Sequence, residues 1–332
     1  MKLGFVYAGQ GSQKVGMGKD FYETYPLFRE TLDHAQEWVK DVTDFDLKKL
    51  CFEGPMEELS QTRFTQPCMV SFAVGITKLF EKEGICPEYT CGLSLGEYSA
   101  LYAAGVLPEE EVLKLVAYRG KVMAEAEAVS GREVKMSAVL MVDRDTVVEC
   151  CKEATDRLKN EFVTISGAVT TEHYVVQAAN FNCPGQIVIS GDAAAVDLAT
   201  ELIKEKGGKR VVPLAVSGPF HTSLMKPAGD KLREKLDQTS FGEQKAEVIF
   251  NATGLPKKAE ESYEDILEKQ VQSSVYLEDS IRYMAGQGVD TIIEIGPGAT
   301  ISKFIQKTAP EIKTYHIDTV DDFNEVLQVF QA

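Results

Sequence analysis

Two side chains in this chain have the character of a nucleophile and its base. Gly92-Leu93-Ser94-Leu95-Gly96 is a G-x-S-x-G pattern, set where a short apolar run, Tyr89–Gly92, gives way to a helical stretch. So tight a strand-to-helix turn needs small residues on both sides, so that the backbone folds sharply and presents the Ser94 hydroxyl. The helix behind it offers free N–H groups and a positive dipole end to a developing oxyanion. Composition alone would produce roughly 0.1 such patterns by chance. A glycine-bracketed turn with Ser94 as a helix cap therefore stays open beside the nucleophile reading.

A serine hydroxyl needs a general base at neutral pH. The histidines are His34, His173, His221 and His316. His221 ends Ser217-Gly218-Pro219-Phe220-His221, just ahead of a helical run, and a helix N-terminus keeps an imidazole neutral. His34 lies in an exposed helical stretch, His173 in a polar loop, and His316 near the C-terminal end, so His221 is the candidate base. A hydrolase-type triad would add an acid between 94 and 221. No acid there has a local signature, and a backbone carbonyl could orient the ring instead, leaving a Ser–His dyad.

Arg119 sits on the apolar stripe of the helix that follows Pro108. Its neighbours one turn away are Leu115, Val116, Val122 and Met123. A guanidinium among such residues needs either a distant Asp or Glu or an anionic ligand. If a ligand, a carboxylate fits the planar fork.

These three residues need a scaffold. Leu3–Tyr7, Tyr89–Gly92, Val248–Phe250 and Thr291–Ile295 read as strands, and 20–40, 66–83, 95–104, 108–129, 222–236, 261–285 and 299–308 as helices. Between them, strands at 135–142, 175–181, 186–190 and 210–214 with helices at 144–159 and 193–206 give the order βαββαβ of a ferredoxin-like unit. The expected architecture is an α/β hydrolase-like domain with a parallel sheet core, 1–130 and 208–332, interrupted by a small inserted unit at 131–207.

The 332 residues carry 35 Lys+Arg against 51 Asp+Glu, a formal net charge of −16. That field argues against nucleic-acid binding and against an anionic membrane surface. No apolar run reaches the ~18 residues of a membrane span, and the seven scattered cysteines read as reduced thiols, so a cytoplasmic location is expected. No metal-ligand spacing occurs among the histidines.

Taken together, these segments resemble the malonyl-CoA:acyl carrier protein transacylase family along nearly the whole chain. The resemblance rests on Gly9-Gln10-Gly11-Ser12-Gln13, Thr65-Gln66-Pro67, the stretch from Gly92 to Leu101, Arg119-Gly120 with Met123, the stretch from Ala179 to Gly191, Pro219 to Met225, Gln270, and Glu294 to Gly298. It implies that Ser94 is acylated and His221 is its base. It further implies that backbone N–H groups of Gln10 and Leu95 hold the oxyanion, that Arg119 binds the malonyl carboxylate, and that the Gln270 carbonyl orients His221. Phe220 would belong to the substrate pocket, beside the ordinary reading of core packing. No cofactor is implied: the coenzyme A thioester is substrate, and an acyl carrier protein, bringing its own phosphopantetheine, is the partner of a monomeric enzyme. Carrier proteins are acidic, so docking would need a local basic patch: Lys204, Lys206, Lys209 and Arg210; Lys226 and Lys231; or Lys303 and Lys307. Four departures from the family pattern are Leu93 in place of a histidine, Ala8 in place of a proline, Ser274 where a proline often follows the Gln270 segment, and extra length at 160–174. A serine thioesterase, or a loading acyltransferase of a polyketide assembly line, would use the same pair.

Overall fold

The computed structural model describes residues 1–165, 168–214 and 218–331, with the backbone alone at 127–130, 164–165 and 168–171. Positions 166–167, inside the extra length, and Ser217, ahead of His221, lie outside the described residues. The first part runs β1 (Leu3–Tyr7), α1 (Lys19–Thr24), α2 (Pro26–Val39), α3 (Leu47–Glu53), α4 (Met56–Leu59), α5 (Thr62–Lys82), β2 (Tyr89–Gly92), α6 (Gly96–Ala103) and α7 (Glu109–Ser130). The middle holds β3 (Val134–Leu140), α8 (Arg144–Arg157), β4 (Phe162–Ile165), β5 (Ala168–His173), β6 (Val176–Cys183), β7 (Gln186–Asp192), α9 (Ala193–Glu205) and β8 (Arg210–Pro213). The last part holds α10 (Lys226–Leu236), β9 (Glu247–Phe250), β10 (Leu255–Pro256), α11 (Tyr263–Gln272), β11 (Val275–Tyr276), α12 (Leu277–Gly286), β12 (Thr291–Ile295), α13 (Thr300–Thr308), β13 (Lys313–Ile317) and α14 (Val320–Gln331).

The main sheet has the order β10-β9-β2-β1-β12-β13 and is parallel except for the β9–β10 hairpin. β1, β2 and β12 are buried along their full length, including Thr90 in β2 and Thr291 and Glu294 in β12. The second sheet has the order β11-β6-β7-β3-β8. Its β3-α8-β6-β7-α9-β8 connectivity is that of a split βαβ unit, with antiparallel neighbours from β6 to β8. β11, which lies between α11 and α12 in the chain, pairs parallel with β6 through Val275↔Asn180 and Tyr276↔Phe181. Arg144 reinforces this seam. Its guanidinium lies 4.0 Å from the Phe181 ring centre and donates to both oxygens of Asp279 at 3.0 and 3.1 Å. Among the described residues no helix is long and apolar enough to cross a membrane.

Three expectations change. The helix expected over 20–40 divides at Tyr25, because Pro26 holds the residue before it extended. The helix expected over 261–285 breaks at Ser273, which adopts extended backbone angles, and Ser274 Oγ then donates to the Ala178 carbonyl of β6 at 2.7 Å. A tertiary contact outweighs local propensity there. The extra length at 160–174 contains the β4–β5 hairpin.

Gly92 and Gly96 permit the turn after β2. A Cβ on Gly92 would lie 2.0 Å from the Gly96 carbonyl carbon, and one on Gly96 would lie 2.2 Å from the Tyr7 oxygen. Both obstacles are backbone and cannot rotate away. Gly92→Ala is therefore expected to cost at least about 1–3 kcal/mol in urea denaturation. Gly286→Ala, in α12 with open space around it, should be neutral or stabilise by up to about 1 kcal/mol. Equal midpoints for the two variants would contradict the packing account.

Candidate active site

The site forms at the carboxyl ends of β1 and β2, where a parallel sheet leaves a crevice. Ser94 takes the left-handed conformation at φ 52°. Only three non-glycine residues among those described have positive φ: Ser94, Met141 and His221. Two of the three are the expected nucleophile and base, and such strain, about 1–2 kcal/mol each, persists only where surrounding contacts enforce it.

His221 is buried, with Nε2 2.7 Å from Ser94 Oγ. Its Nδ1 lies 3.1 Å from the Gln270 carbonyl and 3.2 Å from the Ser273 carbonyl. A carbonyl can only accept, so Nδ1 carries the proton and Nε2 is the bare acceptor of the Ser94 hydroxyl. The break between α11 and β11 supplies these carbonyls: they are C-terminal groups of α11 without a further turn to receive them. No acid is needed to fix the tautomer. Burial, then the nearby Arg119 charge, lowers the His221 pKa from its ordinary value to about 4, against a smaller opposing effect of the two carbonyls.

Arg119 is 1% exposed. It donates to Gln66 Oε1 at 2.9 Å, Gln270 Oε1 at 3.0 Å and Ser94 Oγ at 3.3 Å, and its carbon lies 5.1 Å from the Tyr98 ring centre. It forms no salt bridge among the described residues, and its Nε has no hydrogen-bond partner there. The distant Asp or Glu that the sequence left open is thus absent from its hydrogen bonds. Glu97 acts on it through its field alone, and the buried Glu97 carboxyl is itself pushed up to about 8 by desolvation.

A cavity of about 190 Å³ opens in front of these groups, lined by Gln10, Ser94, Arg119, Asn182, Phe220 and His221 among others. Phe220 is buried and forms one wall. Leu95 is the N-cap residue of α6, and neither its N–H nor that of Gln10 has a hydrogen-bond partner among the described residues. The Gln10 side chain is tied to Thr62 Oγ1 at 3.0 Å. Gln270 is fully buried and stands behind the cavity rather than in its lining. Its side chain also donates to the Ser94 carbonyl at 2.7 Å, so one residue touches nucleophile, base and arginine. The site-binding role expected for Gln270 is therefore one of support. Gln66, the inner clamp of Arg119, had no role in the sequence reading; only its place in Thr65-Gln66-Pro67 marked it. Of the expected docking lysines, Lys206, Lys226 and Lys231 are engaged by Glu149, Asp230 and Glu125.

A strained serine elbow, a carbonyl-oriented histidine and two N–H groups without partners among the described residues define a serine acyltransferase type of site. The family profile described as "Acyl transferase domain" matches residues 4–321. A curated relative from Bacillus subtilis (strain 168), named malonyl CoA-acyl carrier protein transacylase, is 40% identical over 99% of this chain and 98% of its own. One of the same name from Haemophilus influenzae is 36% identical over 98% of each. Among solved structures, a transacylase (MCAT) from Streptococcus pneumoniae matches with TM-score 0.87 at 38% identity over 99% of this chain and all of that one. A malonyl-transacylase solved with a type II polyketide acyl carrier protein matches with TM-score 0.87 at 32% identity, over 99% of this chain and all of that one. The chain belongs to the malonyl CoA-acyl carrier protein transacylase family.

Because His221 is held neutral well below pH 6.5, the acid limb of Ser94 acylation should have its midpoint near pH 4. Acylation measured by rapid-quench intact mass should change little between pH 7 and 5.5 and fall about tenfold per unit below the midpoint. A midpoint at 6.5 or above would contradict the buried, arginine-flanked ring.

Proposed function

We propose that this enzyme moves a malonyl group from coenzyme A to the phosphopantetheine thiol of an acyl carrier protein, through malonyl-Ser94. The observation that carries this reading is the buried Arg119 guanidinium, 3.3 Å from the nucleophile and lacking a carboxylate partner within the described protein. An acyl group that ends in a carboxylate, two carbons from the carbonyl under attack, supplies what is missing. The names of the relatives support the same acyl donor and acceptor.

In the first half-reaction Ser94 Oγ attacks the thioester carbon as His221 Nε2 takes its proton. The oxyanion meets the N–H groups of Leu95 and Gln10. The C–S bond breaks, and the Nε2 proton passes to the departing coenzyme A sulfur. In the second half the carrier thiol gives its proton to Nε2 and attacks the Ser94 ester; collapse returns the proton to Oγ. Phe220 and Arg119 shape the acyl end of the cavity. A hydrolase acting on a malonyl thioester would use the same dyad and the same arginine, and would differ only in the acceptor of the acyl group. Partition of the malonyl group between carrier protein and free malonate separates the two activities, and predominant release as malonate would favour hydrolysis.

Ser94→Ala should give no malonyl adduct by intact mass, since no other side chain stands at the elbow. A wild-type-sized adduct on that variant would remove Ser94 from the mechanism. Arg119→Ala should lose about 2–5 kcal/mol of malonyl recognition, hence roughly 30- to several-thousand-fold in transfer. Acetyl transfer never uses the guanidinium and should hold or rise. The malonyl-to-acetyl ratio is the diagnostic quantity: an unchanged ratio in a folded variant would sink the carboxylate assignment.

A further inference from the structure

The turn that carries Ser94 is strained, and the segments that flank it do not by themselves explain what holds it. β2 pairs with β9 through Tyr89↔Glu247 and Thr90↔Val248, and no pairing continues to Gly92. Where a ladder would go on, a side chain takes over. Asn251, the residue after β9, is fully buried; its Nδ2 donates to the Gly92 carbonyl at 2.7 Å and its Oδ1 accepts the Ser94 N–H at 2.7 Å. One planar amide thus bridges the residue two before the nucleophile and the nucleophile itself. Its backbone is engaged as well. The Asn251 N–H donates to Glu97 Oε2 in the first turn of α6, and its carbonyl accepts the Tyr276 N–H of β11 at 2.8 Å.

We propose that Asn251 is a positioning residue for catalysis: its carboxamide fixes the Ser94 elbow in register with the β11 segment whose preceding carbonyls orient His221. The argument is one of donors and acceptors. Gly92 presents an acceptor and Ser94 a donor, only two residues apart, so the bridging group must donate and accept at once. Leucine does neither. An ionised aspartate only accepts, and would set a charge against the Gly92 carbonyl. A protonated aspartic acid restores both functions. Without the bridge, Ser94 can relax from its left-handed conformation, and Oγ leaves the 2.7 Å contact with Nε2. Asn251 does not line the cavity, so substrate binding should be spared.

The assignment rests on Ser94 as the nucleophile. The test compares wild type, Asn251→Leu and Asn251→Asp by rapid-quench intact mass with malonyl-CoA, by fluorophosphonate labelling, and by thermal melting. Asn251→Leu, if cooperatively folded, should acylate and label about 100-fold more slowly, the scale of loss from displacing a reacting atom by an ångström, with KM for malonyl-CoA within about threefold of wild type. A folded Asn251→Leu acylating within threefold of wild type would overturn the proposal. Asn251→Asp gives the decisive reading should the leucine variant fail to fold. Its acylation rate, divided by that of wild type at the same pH, should rise as pH falls from 8 to 5, because protonation restores the donor. Because a new carboxyl would couple to Glu97, which is hydrogen-bonded to the Asn251 N–H, the ratio is also taken in a Glu97→Gln background, which keeps that acceptor and removes its titration. A ratio near one throughout reports a carboxyl protonated over the whole range, with the bridge restored, whereas a ratio that stays flat and far below one would overturn the proposal. A wild type that takes no fluorophosphonate label would remove the nucleophile and this assignment with it, whereas a labelled wild type confines any failure to Asn251.

Discussion

A buried positive charge with no carboxylate in salt-bridge range among the described residues is the constraint around which this molecule is arranged. Leaving a guanidinium out of water is costly unless donors find acceptors and the charge finds a partner. The protein meets the first need with neutral groups, the side-chain carbonyls of Gln66 and Gln270, and places the Tyr98 ring against the guanidinium. It leaves the second need unmet among the described residues. The same charge helps keep His221 in its basic, neutral form, although desolvation is the larger cause. Recognition and base chemistry therefore draw on one side chain.

The break at Ser273 shows how the backbone answers to the site. A continuous helix over 261–285 would satisfy its own carbonyls. Ending α11 at Gln272 frees those of Gln270 and Ser273 for Nδ1, and lets β11 join β6 of the second sheet. Gln270 adds two contacts through its side chain, donating to the Ser94 carbonyl and accepting from Arg119, and so reaches Ser94, Arg119 and His221. The second sheet is tied to the base through this short strand.

Much of this was legible in the residues. β1, β2 and β12 are short apolar runs ended by glycine or preceded by polar residues, and their bounds are those expected. Gly92 and Gly96 announced the elbow because backbone contact at 2.0 and 2.2 Å excludes any Cβ. Arg119 announced itself by lying on an apolar stripe. What stayed hidden depends on long-range geometry. Nothing in Val-Gln-Ser-Ser marks a helix end, since the interruption comes from Ser274 reaching the Ala178 carbonyl. Gln66 lies within a helix whose residues are nearly all buried, so no local period separates it from core. Asn251 follows an apolar strand like any turn residue; only the parallel pairing of β9 with β2 brings it to the elbow.

The most direct test of the central claim offers the wild-type protein two donors of one shape and different charge. Malonyl-CoA and its neutral amide isostere, malonamyl-CoA, are supplied together in equal amount, and the early Ser94 adducts are counted by intact mass. If the guanidinium is held for a carboxylate, the malonyl adduct should dominate by a factor of roughly 30 to several thousand, the equivalent of about 2–5 kcal/mol. Equal labelling by the two donors would contradict it.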